Sequence, residues 1–148
     1  MPPGSRCLTV ENNAMLAELA KLKSGMLMSS SGSEGGYANS AVIEFLKKLP
    51  LNMELWHFGD SDPKGFDILR DLRERTGREI QSLHMRFYPI ENAAPLSEGD
   101  HSTISRLLSS EHLTDTEKLE LQKIKTSDTK GAFEQEHLGR PGAIWPFY

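Results

Sequence analysis

Four short apolar runs alternating with helix-like patterns restrict this chain to an α/β fold. The runs are Cys7-Leu8-Thr9-Val10, Met26-Leu27-Met28, Met53–Phe58 and Glu79–His84. Apolar residues at helical spacing fill the intervals over about Asn13–Leu22, Asn39–Lys48 and Pro63–Arg75. Alternation of this kind predicts parallel strands joined by right-handed crossovers. The expectation is therefore a Rossmann-like, roughly four-stranded, mainly parallel sheet flanked by helices. Local punctuation agrees. Asn12 reads as an N-cap and Gly25 as a stop. Val42, Ile43, Phe45, Leu46 and Leu49 form the apolar side of the second helix, closed by Pro50. Phe66, Ile68, Leu69 and Leu72 form that of the third, with Gly77 at its C′ position.

The second half changes character. Pro89–Gly99 reads as a loop, Ser102–Leu108 as a short helix, and Thr114-Asp115-Thr116-Glu117 as a capping box opening a helix to about Lys125. Gly131–Leu138 reads as one or two helical turns, and the tail from Arg140 is expected to be pinned by Trp145 and Phe147. The 148 residues suit a single domain, with a core at about 7–88 and a helical carboxyl-terminal extension and tail at about 89–148. A lone cysteine, Cys7, excludes an intrachain disulfide framework and suits a reducing, cytoplasmic setting. No apolar run approaches the ~20 residues that span a bilayer. With a net charge of −4, the composition does not advertise nucleic-acid binding. Any DNA surface must be a local patch, or be supplied by another domain or partner.

The chemistry concentrates at Trp56–Phe66. There an apolar strand runs into Gly59-Asp60-Ser61-Asp62-Pro63 and a helix follows. If the strand pleat persists, Asp60 and Asp62 face the same side. Glu11 ends the first strand, and parallel strands share one carboxyl edge, where ligands bind in open α/β sheets. Three hard oxygen donors at that edge suit Mg²⁺ or Mn²⁺ and phosphodiester chemistry. The plainer reading makes Asp62 an N-cap before a proline at the first helical position. Lys64 is the best placed cation for a phosphate. Arg70 and Arg73 share a helix face and are phosphate candidates, although the interleaved Asp67, Asp71 and Glu74 favour a solvated face of ion pairs. His57 and His84 fall within strands, where a satisfied histidine is the usual outcome. The Ser29–Gly36 segment is a flexible connection or a loop over the active edge. Its spacing does not match a phosphate-binding loop.

Val10-Glu11-Asn12, the segment Gly59-Asp60-Ser61-Asp62-Pro63-Lys64-Gly65-Phe66-Asp67-Ile68-Leu69, the Leu113-Thr114 helix start and Phe133-Glu134-Gln135-Glu136 resemble the Toprim domain of the Wadjet defence protein JetD. The likeness runs from about residue 7 to 138, and that family is related to the A subunit of type IIB topoisomerases. The resemblance implies a DNA-cleaving centre with Glu11, Asp60 and Asp62 as Mg²⁺ or Mn²⁺ ligands and Glu11 as acid/base. Glu136 would be an extra ligand and Glu134 an outer acid. It implies DNA and SMC-like defence complex subunits as partners, and a homodimer. Tyr37, Tyr88 and Tyr148 do not lie in the pattern of the relatives' nucleophilic tyrosine, so water is expected to attack. Two other readings stand beside this endonuclease. One is a non-catalytic interaction module. The other is an Asp-x-Asp phosphohydrolase, with Asp60 as nucleophile and Asp62 as acid/base, that would not need Glu11.

Overall fold

The computed structural model describes residues 6–11, 26–29, 36–89 and 91–129. The expected helix over Asn13–Leu22, most of the Ser29–Gly36 segment, Gly131–Leu138 with Glu134 and Glu136, and the tail with Trp145 and Phe147 lie outside them. The described elements run β1 (Arg6–Val10), β2 (Met26–Ser29), α1 (Ser40–Lys48), β3 (Glu54–Phe58), α2 (Pro63–Thr76), β4 (Ile80–Ser82), α3 (Glu98–Leu108) and α4 (Asp115–Ser127).

The strands form one sheet in the order β2-β1-β3-β4, and every pairing is parallel. The chain steps outward from β1 to β2 and then crosses back to β3. The boundary between β1 and β3 is therefore the topological switch point, where the connections leaving the two strands diverge. The α/β expectation holds, and its consequence is specific. Val10 pairs with Phe58 at the last register position, so Glu11 and Gly59-Asp60 emerge side by side.

On one face of the sheet, Cys7, Leu55 and Ile80 join a core with Leu46 of α1, Phe66, Leu69 and Leu72 of α2, Ile104 and Leu107 of α3, and Leu121 and Ile124 of α4. Each fully buried side chain of this size contributes roughly 1.5–3 kcal/mol. Leu8, Val10 and Phe58, one residue out of phase, are also fully buried, as central strands of a parallel sheet require. The helix starts are set by their caps. Asn39 accepts from Val42 N at 2.9 Å, and Ser97 and Thr114 each open a reciprocal capping box.

Four expectations are corrected. The last strand spans only Ile80–Ser82, because the chain bends at Leu83 and His84 takes a left-handed φ of 55°. The helix expected at Ser102 starts at Glu98, because Ser97 and Asp100 cap it and Gly99 is absorbed into the first turn. Phe45 of α1 lies 43% exposed, outside the apolar side assigned to it. The strand pleat does not persist to Asp62: β3 ends at Phe58, and Asp62 turns back to cap α2.

The arginines of α2 hold this layer together. Arg73 forks onto Glu117 at 2.5 and 2.9 Å and also donates to Ile80 O and His112 O, tying β4, α2 and the start of α4. Arg78, just beyond α2, donates to the carbonyls of Leu46 and Leu49 at the end of α1, and Arg75 donates to Ala38 O. Asp67 is the second hub. It accepts from Tyr37, from Arg70 Nε at 3.0 Å and from Arg106 at 2.8 Å. Burial alone would raise its pKa, but the bonds from Arg106, Tyr37 and Arg70 outweigh burial and hold it at about 2.

Candidate metal centre at the carboxyl edge of the sheet

Glu11 follows the last residue of β1, and its backbone N–H donates to Phe58 O at 3.1 Å, one more rung of the ladder. That rung carries the side chain over to the neighbouring strand end, where Oε2 accepts from Asp60 N at 2.9 Å. Glu11 is only 7% exposed. Burial raises its pKa, the hydrogen bonds with Asp60 oppose the rise, and the charge of Asp62 adds to it while Lys64 offsets part. A buried carboxylate beside two further acids is a site that a cation would relieve.

Asp62 Oδ1 accepts from Gly65 N at 2.6 Å, and Pro63 occupies the first position of α2. The plain N-cap role is therefore present, beside a carboxylate that still acts electrostatically on Glu11. Gly65 allows the turn to close: a Cβ there would meet Asp60 O at 1.9 Å. Only glycine admits the Asp60 carbonyl over the first turn of α2.

The turn is buttressed from below and from the side. Beneath Gly59 lies His57, fully buried, with Nδ1 2.8 Å from Thr9 Oγ1. A Cβ on Gly59 would come within 2.7 Å of His57 Nε2, an atom with no hydrogen-bond partner among the described residues. Burial pushes the imidazole down to about 3, so it is neutral at any ordinary pH. At the side, Ser61 Oγ donates to His84 O at 3.3 Å and accepts from Arg86 N at 3.1 Å. The segment after β4 is thereby stitched to the acidic turn.

Glu11 and Asp60 are thus brought together across the switch point, with Asp62 two residues on and engaged as a cap. Among the described residues no group of three or more His, Cys, Asp or Glu is assembled to hold a metal ion. Carboxylate oxygens are the donors that Mg²⁺ and Mn²⁺ take, so the donor chemistry fits those ions, although the three acids do not form a closed shell. Glu136 lies outside the described residues. Lys64 is exposed beside Asp62. Arg70 is bonded to Asp67 and Glu74 and Arg73 to Glu117, so both point into ion pairs of the helical layer. The tie from Ser61 to His84 and Arg86 had no sequence signal, since it joins residues more than 20 apart across a left-handed turn.

The family model for the Wadjet protein JetD, C-terminal, matches residues 1–143. The chain belongs to that family. The match covers β1, the acidic turn and both carboxyl-terminal helices together, and it joins this JetD C-terminal chain to a defence system. No curated protein matches it. Among the described residues no helix is long and apolar enough to cross a membrane.

Proposed function

We propose that this JetD C-terminal chain is a Toprim-type catalytic domain, a divalent-metal-dependent endonuclease that hydrolyses DNA phosphodiesters within a plasmid- and phage-defence complex. One observation carries the reading: the buried Glu11 carboxylate is bonded to Asp60 N across the β1/β3 switch point, 49 residues apart in sequence. A structural cap needs no such partner, and the placement is the one α/β folds use for ligands.

Glu11, Asp60 and Asp62 would hold Mg²⁺ or Mn²⁺. An ion held there would supply polarisation of the phosphodiester and a lower pKa for water. The bond from Asp60 N fixes the orientation of the Glu11 carboxylate, and the Gly59 and Gly65 contacts fix the path of the turn. Lys64, exposed at the start of α2, would meet phosphate oxygens beside the acids. Water is the nucleophile in this reading, and DNA is delivered by SMC-like partner subunits. A dimer of the chain belongs to the same proposal.

The interaction-module reading has one observation of its own, the engagement of Asp62 as a helix cap. The two readings separate in a cleavage assay on supercoiled DNA with Mg²⁺ or Mn²⁺, using the wild type and Glu11→Gln. Metal-dependent nicking abolished by Glu11→Gln is expected. Nicking that survives Glu11→Gln would favour the Asp-x-Asp phosphohydrolase arrangement, and none by the wild type in complex with its partners would favour the module.

A further inference from the structure

The strongest unassigned cluster lies in the segment 83–88, which follows β4 and crosses the same carboxyl edge. Leu83 N donates to His57 O at 2.8 Å, extending the β4 pairing by one bond. His84 then turns left-handed, and its carbonyl accepts from both Ser61 Oγ and Tyr88 Oη, the latter at 3.0 Å. The turn sets Arg86 against the acidic loop through its backbone, while its side chain stays exposed. Arg86 Nε donates to Tyr88 Oη at 3.0 Å, and the guanidinium carbon lies 5.3 Å from the centroid of that ring. Glu120 anchors the far side by accepting from Phe87 N at 3.0 Å.

The contrast with the other arginines is informative. Arg70, Arg73 and Arg75 each reach a carboxylate, and Arg78 ends on carbonyls at the end of α1. Arg86 instead is braced at Nε by a phenol and stacked on its ring. Among the described residues its outer fork makes no hydrogen bond or ion pair, and the Glu120 carboxylate acts on it only at longer range. A pre-oriented guanidinium whose fork is unengaged among the described residues, beside a carboxylate site, suits a bidentate contact to phosphate.

We propose that Arg86, held by Tyr88 and by the Ser61–His84 tie, contacts a DNA phosphate flanking the one bound at the acidic turn. This rests on the nuclease reading above and assigns the cation that the α2 arginines do not supply. Arg86 acts on binding and register, and Tyr88 acts by positioning it.

The test is binding of a short fluorescent DNA duplex by the full chain, followed by anisotropy across a salt series, with EDTA and with Mg²⁺. Arg86→Ala should bind about tenfold more weakly and lower the slope of log affinity against log salt by about 1. Tyr88→Phe keeps the charge but removes the brace, so affinity should fall while the slope stays. Lys48→Ala, on the exposed end of α1 at the opposite edge, controls for net charge, and thermal melts verify each fold. An unchanged slope in Arg86→Ala, or no duplex binding by the wild type at low salt, overturns the proposal. Mg²⁺ binding by the same protein is measured separately, so an intact metal site with an unchanged slope would reject Arg86 and leave the nuclease reading standing. A lost slope without any Mg²⁺ binding would do the reverse.

Discussion

His57 gives a prediction whose size follows from its surroundings. The imidazole is fully buried on β3, and desolvation, with a smaller push from Arg73, lowers its pKa to about 3. In the unfolded chain the same group titrates near ~6.5. Between those values the unfolded state binds a proton that the folded state refuses. Stability is therefore fully present above about pH 6.5 and falls as the pH drops toward about 3, by up to ~1.4 kcal/mol per pH unit. The accumulated loss is about 2 kcal/mol at about pH 5, and its ceiling of ~5 kcal/mol rivals the whole stability of many domains. His57→Asn retains an amide to face Thr9 and cannot titrate. Urea denaturation of both proteins from about pH 7 to about pH 5 measures the effect. The variant should be less stable at neutral pH because it leaves a cavity, and the gap should narrow by about 2 kcal/mol at the acid end. Glu11, whose raised pKa acts with the opposite sign, and Asp67, which acts only in stronger acid, are common to both proteins and cancel. Parallel stability curves would refute the buried neutral histidine.

Two further outcomes separate scaffold from site. Asp62→Ser keeps an N-cap oxygen for Gly65 N but removes the charge, so it should melt within a few tenths of a kcal/mol of wild type while losing metal affinity; Asp62→Ala should additionally cost about 1 kcal/mol. Removing Arg73 alone leaves Glu117 buried and should cost roughly 3–5 kcal/mol by urea denaturation, whereas Arg73→Met combined with Glu117→Met should cost less than the sum of the single changes.

What the sequence made legible follows from how far each signal reaches. The parallel sheet was visible because short apolar runs alternate with helix-like patterns in the sequence, and the acidic turn was visible because Gly59-Asp60 interrupts one such run. Asp62 was legible as both ligand and cap, and the structure supplies the cap directly. The roles of Arg70 and Arg73 depend on partners that periodicity cannot see. Glu117 lies 44 residues from Arg73, and Arg106 lies 39 from the Asp67 that it shares with Arg70. Tyr37 joins that hub from before α1, where no helical spacing applies; burial first, then the bond to Asp67, pushes its phenol up to about 12. The early end of β4 had no local mark either, because Leu83 and His84 suit a strand and the ties from Ser61 and Tyr88 to the His84 carbonyl form only in the fold.

The proposed metal centre is tested most directly by calorimetric titration of Mg²⁺ and Mn²⁺ into the wild type and into the double variant Asp60→Asn with Asp62→Asn, each with a short DNA duplex present. Saturable binding by the wild type that disappears in the double variant is the predicted result. Equal heats from both proteins, or none from either with DNA in place, would contradict the assignment of Glu11, Asp60 and Asp62 as ligands.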